Sequence, residues 1–230
     1  MRIACCFVSV MVGVAFAQES PTPTSSPEQT VSPSAPATPA SMRSVRISFV
    51  PPPLEGTISL GIYDTGGKLV RVLHQQAPLD VFTIGADALL TKWDGKDNDG
   101  HDLPAGKYHA RGYLVGSLQV EKATAEPASP PPTGNDKITI KLMANPLVKN
   151  DRPNAELAIG FDDTDSFIKT SDDLPLYVIS ERSDITRVSV AKNGEKSADV
   201  WQESGAGTEH FRISKLDQMM AFDCGSFDLK

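Results

Sequence analysis

Cysteine is nearly missing from this chain. Of three in 230 residues, Cys5 and Cys6 sit in the first apolar stretch, and only Cys224 lies beyond it. A single cysteine makes no internal disulfide, so a core has to hold by packing alone; Cys224 itself reads as a small buried apolar side chain. No Asn-x-Ser/Thr sequon occurs, so nothing points to N-glycosylation. There is no Gly-x-Ser-x-Gly elbow, no His-Glu-x-x-His pair and no phosphate loop, which removes the common hydrolase, zinc-protease and nucleotide signatures. The four histidines, 74, 101, 109 and 210, are scattered. An amphipathic helix is missing too: no eleven-residue stretch carries a 3.6-residue apolar stripe, "GADALLTKW" being the nearest.

Positive charge is also scarce. Beyond residue 17 there are 21 basic against 29 acidic residues, a net charge of −8. Nucleic acid and anionic membrane both need a cationic face, so neither is expected as a partner. Residues 1–17, "MRIACCFVSVMVGVAFA", combine Arg2, an apolar stretch and Ala15-Phe16-Ala17, the pattern of a signal peptide cut before Gln18. The apolar stretch is too short to span a bilayer. Cys5 and Cys6 precede most of it, where a lipidated cysteine would follow it. An exported chain with no stable membrane anchor is the expectation, periplasmic or extracellular.

Proline and glycine, by contrast, are abundant, at 18 and 17, as in turn-rich β proteins. Residues 18–42 are almost wholly Pro, Ser, Thr and Ala, too polar to offset their own ordering entropy, and read as a disordered linker. A second such stretch, 122–134, is expected to separate a domain at 43–121 from another at 135–230. Within them period 2 rules. Val45, Ile47 and Phe49 share a face, as do Ile58, Leu60 and Ile62, and then Ile138, Ile140 and Leu142. "KYHARGYLV" is β-prone on both faces, as in a strand buried on both sides. Asn193-Gly194 predicts a two-residue type I′ hairpin, which sets Val188, Val190, Asp199 and Trp201 on one face. "TEHFRIS" and "GSFDLK" read as further strands. The fold class is all-β: a sandwich, then a second small β domain, either a sandwich or blade-like as in a propeller.

The densest local pattern is "WDGKDNDGHDLPAGKYHARGY" at 93–113, preceded by "GTISLGIYDTGGKLVRVL" at 56–73. Tyr63-Asp64, Gly67-Lys68, Val70-Arg71 and Leu73, then Trp93-Asp94-Gly95, Asp97, Gly100, Leu103-Pro104, Gly106 and Tyr108, stand in the order of a known module. They resemble the immunoglobulin-like domain first described in the flagellar hook-capping protein FlgD, which recurs in secreted bacterial proteins. The segment between the two blocks, "HQQAPLDVFTIGADALLTK", is longer than the usual connection. The resemblance implies an immunoglobulin-like sandwich across 43–121 and a structural role for Tyr63, Asp64, Gly67, Trp93, Asp94, Gly95, Asp97, Gly100, Pro104, Gly106 and Tyr108. Trp93 is expected to end one strand and Tyr108 to begin its partner, both filling the core. Asp94, Asp97 and Asp99 suit Asx turns, and Gly95, Gly100 and Gly106 suit backbone that a Cβ resists.

A calcium loop fits worse. An EF-hand with Gly100 sixth would have Gly95 first and Gly106 twelfth, neither a ligand. Asp162, Asp163 and Asp165 read as turn carboxylates. No catalytic residue, metal or cofactor is expected. The functional expectation is non-catalytic binding or scaffolding in the bacterial envelope or outside the cell, with a protein or a glycan as partner. Hook assembly itself is not expected, because hook-capping proteins leave through the flagellar channel. The alternative is an accessory protein of a polysaccharide-active system, binding or cutting glycans.

Overall fold

In a computed structural model the described residues are 43–123, 137–147 and 152–230. The expected signal peptide, the first linker and all but the start of the second lie outside them. The described residues fold into fifteen strands and one 3-10 turn, Leu79–Val81: β1 (Val45–Phe49), β2 (Thr57–Tyr63), β3 (Leu69–Ala77), β4 (Thr83–Ile84), β5 (Leu89–Trp93), β6 (Gly106–Val115), β7 (Gln119–Lys122), β8 (Lys137–Lys141), β9 (Asn154–Phe161), β10 (Asp165–Thr170), β11 (Pro175–Glu181), β12 (Ile185–Lys192), β13 (Ser197–Ser204), β14 (Gly207–Ser214) and β15 (Met219–Leu229). The protein is all-β, with antiparallel pairing throughout.

The first pair of sheets is β1-β5-β4 and β15-β6-β2-β3. The alternating residues meet between them as the pattern requires: Ile58, Leu60 and Ile62 are fully buried, with Ile47 and Phe49 opposite. Phe49 stacks on Phe222 at 5.1 Å and meets Phe82 edge-on at 5.4 Å. At the other end Trp93 meets Tyr108 at 5.1 Å and Phe227 at 5.7 Å. Trp93 and Tyr108 are not on paired strands, as the sequence suggested. Trp93 pairs with Val45 in one sheet, Tyr108 with Phe227 in the other, and the rings touch across the core.

Phe222, Phe227 and Leu229 expose the main correction. They belong to β15, which pairs along the whole of β6 from Met219↔Val115 to Leu229↔Gly106. The expected division into 43–121 and 135–230 therefore fails: the last strand of the first sandwich comes from the C-terminal end of the chain, and "GSFDLK" lies within it. In exchange β7 leaves the first sandwich and pairs with β14. The second pair of sheets, β11-β10-β9-β8 and β12-β13-β14-β7, is thus inserted between two neighbouring strands of the first. Gly116 N–H donates to Gln218 O at 2.8 Å, so the insertion leaves and returns at one point. The described residues form one compact unit.

The inserted sheets pack face to face over Ile138, Ile140, Leu157, Ile168, Leu174, Leu176, Val190, Val200 and Ile213, a sandwich and not a blade. A buried polar bridge joins them: Ser166 Oγ lies 3.0 Å from Ser180 Oγ, which donates to Gln202 Oε1 at 2.9 Å, and Gln202 Nε2 donates back to Ser166 Oγ. The hairpin at Asn193-Gly194 is present, with Gly194 at φ +78°, but its loop is longer than predicted. Asn193 N–H bonds to Ser197 O, and Val190 pairs with Val200 where a two-residue turn would set it against Ser197. The displacement is odd, and an odd slip moves every side chain to the opposite face. Trp201 and Asp199 accordingly lie on the outer face, away from Val190.

The two sandwiches share apolar packing. Tyr113, Val115, Met219 and Ala221, on β6 and β15, belong to the core of the inserted one, with Leu69 and Val72 against it. A Cβ on Gly61 would lie 2.6 Å from Leu69 Cδ1 and 3.2 Å from Leu174 Cδ1; the bare backbone there admits the inserted sandwich. Gln76, a non-glycine residue at φ +46°, receives Val178 N–H on its Oε1 at 3.1 Å while its own N–H donates to Ser59 Oγ at 3.0 Å. β6 is therefore buried on both sides over its second half, as its sequence predicted.

Candidate functional site

The aspartate-rich loop is built largely from its own backbone. Asp94 Oδ1 accepts Lys96 N–H at 3.1 Å, and Asp97 Oδ1 accepts Asp99 N–H at 3.0 Å and His101 N–H at 2.9 Å. These are the expected Asx turns, and the His101 N–H above all holds the Asp97 carboxyl below its ordinary value. Asp99 differs from expectation: its side chain accepts no such bond among the described residues. Trp93 Nε1 donates to Lys96 O at 2.8 Å, tying the loop to the core. Tyr108 Oη donates to Pro104 O at 2.8 Å, Arg71 to Asp97 O at 2.6 Å and Val72 N–H to Asn98 Oδ1 at 2.8 Å.

Gly95 and Gly100 have φ of +79° and +82°, so their Cβ-free backbone is required. Gly106 is a correction. It begins β6 in ordinary extended pairing with Leu229 and needs no special conformation. In the neighbouring turn Asp64 Oδ1 accepts Lys68 N–H at 2.9 Å, and Gly67 has φ +80°. Tyr63 is fully buried under the Arg111 guanidinium, 4.8 Å from the ring centre, and burial drives its phenol far above the ordinary range. Trp93, Tyr108, Asp94, Gly95, Asp97, Gly100 and Pro104 thus come together in one corner; Tyr63 pairs with His109 on β6, and Asp64 and Gly67 border a cleft with Tyr108. Asp97, Asp99 and His101 bring three possible metal ligands within 4.8 Å of one another, on a loop whose shape is already set by its backbone bonds. The second acidic turn behaves alike: Asp162 Oδ1 accepts Thr164 N–H at 2.9 Å and Asp165 N–H at 2.8 Å.

Sequence reasoning missed a second cluster. His109 on β6 has Nδ1 3.0 Å from Ser226 Oγ and Nε2 2.8 Å from Asp223 Oδ2. The three residues lie 117 positions apart at the widest, and only the return of β15 joins them. A bulge between Asp223 and Ser226, with Gly225 at φ +82°, aims both side chains at the ring. His109 and Ser226 border an open cleft of about 430 Å³ that also involves Lys107, Tyr108, Arg111, Asp64 and Gly67. Serine, histidine and aspartate are the residue types of a nucleophilic triad, but the arrangement is a poor one. A triad aspartate is buried and binds Nδ1; here Asp223 is 58% exposed and sits on Nε2, with the serine on Nδ1. What the contacts do is clamp the bulged strand to β6.

The outer face of β13 and β14 holds a third group. The Trp201 and His210 rings stack at 4.9 Å, nearly parallel, and both are buried. Asp199 receives Arg212 Nε at 2.9 Å and Asn193 Nδ2 at 2.7 Å, with His210 Nε2 at 3.2 Å from it. Its carboxyl lies below the ordinary value: burial opposes the charge, and these donors outweigh it. The β12–β13 register sets Asp199 on the outer face, away from Val190, and there it lies opposite Arg212 of β14. Nearby Arg182 joins Asp184 at 2.6 Å and Glu209 at 2.7 Å, and Lys122 joins Glu209 at 2.6 Å.

Comparison with known proteins gives no match: no family model, no curated protein and no solved structure is similar to this chain. Among the described residues no helix is long and apolar enough to cross a membrane.

Proposed function

We propose that this is an exported, non-catalytic recognition and scaffolding protein of the bacterial envelope or extracellular space, built on an FlgD-type immunoglobulin-like module. One observation carries the reading: the inserted sandwich is locked to the first through a shared apolar core and paired return strands. Such a body presents surfaces at fixed distances and angles, which suits binding and holding. The module assignment draws on the two ordered blocks at 56–73 and 93–113, whose distinctive residues serve turns and core. Export draws on Arg2, the apolar stretch after it and Ala15-Phe16-Ala17. The partner is a protein. A glycan site is favoured by stacking aromatics at the surface; both tryptophans and Tyr63, Tyr108 and Tyr113 are buried and Tyr177 is half-buried, so among the described residues Phe161 is the one exposed aromatic ring.

Two measurements test the reading. N-terminal mass analysis of the secreted chain should give Gln18 as the first residue; a retained Met1 or an acylated Cys5 or Cys6 overturns export by this route. Crosslinking and affinity capture from native envelope should retain a protein partner. Turnover of a glycan or peptide substrate by the purified chain, lost on His109→Ala, overturns the non-catalytic reading.

A further inference from the structure

Exposed sheet edges invite strand addition, and proteins guard them with charge, cover or curvature. Most edges here are guarded. β8 carries exposed Lys137 and Lys141, β12 carries Arg187 and Lys192, and β7 carries Lys122. β3 lies against β11 and has Val72 N–H bonded to Asn98; β1 and β15 lie against each other. β4 differs. Its two residues, Thr83 and Ile84, are both exposed and neither is charged. Ile84 is 84% exposed, and beside it stand two further exposed apolar side chains, Val81 at 56% and Leu79 at 38%. This ledge falls inside 74–92, the segment longer than the module it resembles, so it is an addition to that pattern. The buried portion of the segment is anchored: Phe82 packs on Phe49 and on the His74 ring at 4.7 Å, and Gly85 N–H closes a turn on Ala88 O at 2.8 Å. The ledge is therefore held out on a fixed base.

Charge selects the occupant. Residues 78–88 carry two charges, Asp80 and Asp87, both exposed and both negative. A second copy meeting this edge would set aspartates against aspartates, in a chain already at net −7, and like charges directly opposed across strands destabilise the pairing. An anionic lipid surface or nucleic acid is disfavoured for the same reason. We propose that the β4 edge is a docking site for an extended segment of a partner protein. The segment has apolar residues at alternate positions between flanking lysines or arginines, and it adds as a strand beside β4 with its apolar side chains on Leu79, Val81 and Ile84. Strand addition uses main-chain bonds for affinity and alternate side chains for selection. The inference rests on the recognition reading and names the surface and chemistry that the reading leaves open.

The test is a fluorescence-anisotropy titration of the full chain with a labelled Lys-Val-Thr-Val-Thr-Val-Lys peptide and its counterpart with glutamate for lysine. The lysine peptide should bind at least tenfold more tightly. Ile84→Lys should weaken it at least tenfold with the melting temperature unchanged, because the side chain is already in water. Asp80→Lys/Asp87→Lys should reverse the preference between the two peptides. Equal binding of both peptides, or binding indifferent to Ile84→Lys, overturns the proposal. Concentration-dependent dimerisation in light scattering, lost in Ile84→Lys, also overturns it, in favour of a second copy at this edge. If capture from native envelope survives Ile84→Lys undiminished, the edge is wrong while the recognition reading stands; if wild type captures nothing and the lysine peptide still binds selectively, the reverse holds.

Discussion

At the scale of the residue, the two kinds of side chain in the opening loop should separate cleanly. Trp93 is wholly buried and touches Tyr108 and Phe227, so Trp93→Ala should cost about 3–5 kcal/mol, as core truncations of large aromatics do. Asp97→Asn, which keeps an acceptor in place, should lower the melting temperature far less; thermal unfolding of both variants side by side is the check. His74 gives a pH signature. Burial lowers its pKa from 6.5, and its Nε2 is 2.7 Å from Thr91 Oγ1. The folded protein then holds this imidazole neutral while the unfolded chain takes up a proton below about pH 6.5, so its contribution to stability is full above that pH and declines as pH falls toward the lower folded value. Melting temperatures measured from pH 7.5 to 5 should fall more steeply for wild type than for His74→Gln.

At the scale of the element, β15 decides whether the first sandwich exists. Phe222, Phe227 and Leu229 fill its two core clusters. Removing two phenylalanines and a leucine forfeits several kcal/mol each, against a total of about 5–15 kcal/mol for an ordinary domain. A fragment of residues 43–121 should therefore be unfolded by circular dichroism, and a peptide of residues 219–230 added in trans should restore β structure and the burial of Trp93. This strand also marks where sequence reading stops. β1 and β8 were legible because each buries one face, and the alternation of Ile, Val and Phe with exposed residues records it locally; β2 carries the same alternation of Ile and Leu although both its faces are buried. Nothing local to "GSFDLK" says that its partner is more than a hundred residues back. The clamp of His109, Asp223 and Ser226 was hidden for the same reason, since only long-range pairing creates it. The hairpin at Asn193-Gly194 failed differently: the turn residues were read correctly, but one further loop residue more or less decides which face Trp201 takes, and Gly194 does not encode that. Gly106 departs from expectation because, of the three glycines of the 93–108 loop, Gly95 and Gly100 take the left-handed conformation and Gly106 does not.

At the scale of the whole molecule, the shared packing of Tyr113, Val115, Met219 and Ala221 with the inserted core makes the two sandwiches one cooperative body. Unfolding in denaturant should show a single transition, and its midpoint should be the same whether followed in Trp93→Phe, which reports Trp201, or in Trp201→Phe, which reports Trp93, once each is corrected for its own loss of stability. Two separate midpoints would return the independent-domain organisation that the sequence suggested. The same connectivity sets a clock. A ribosome adding about 5–20 residues per second needs on the order of 5–20 s to travel from the end of β6 to the start of β15. Throughout that interval the nascent first sandwich lacks an edge strand and cannot close, however long its other strands have been free. Such a chain stays threadable while it is being made, and becomes a finished body only when its latest strand finds one of its earliest.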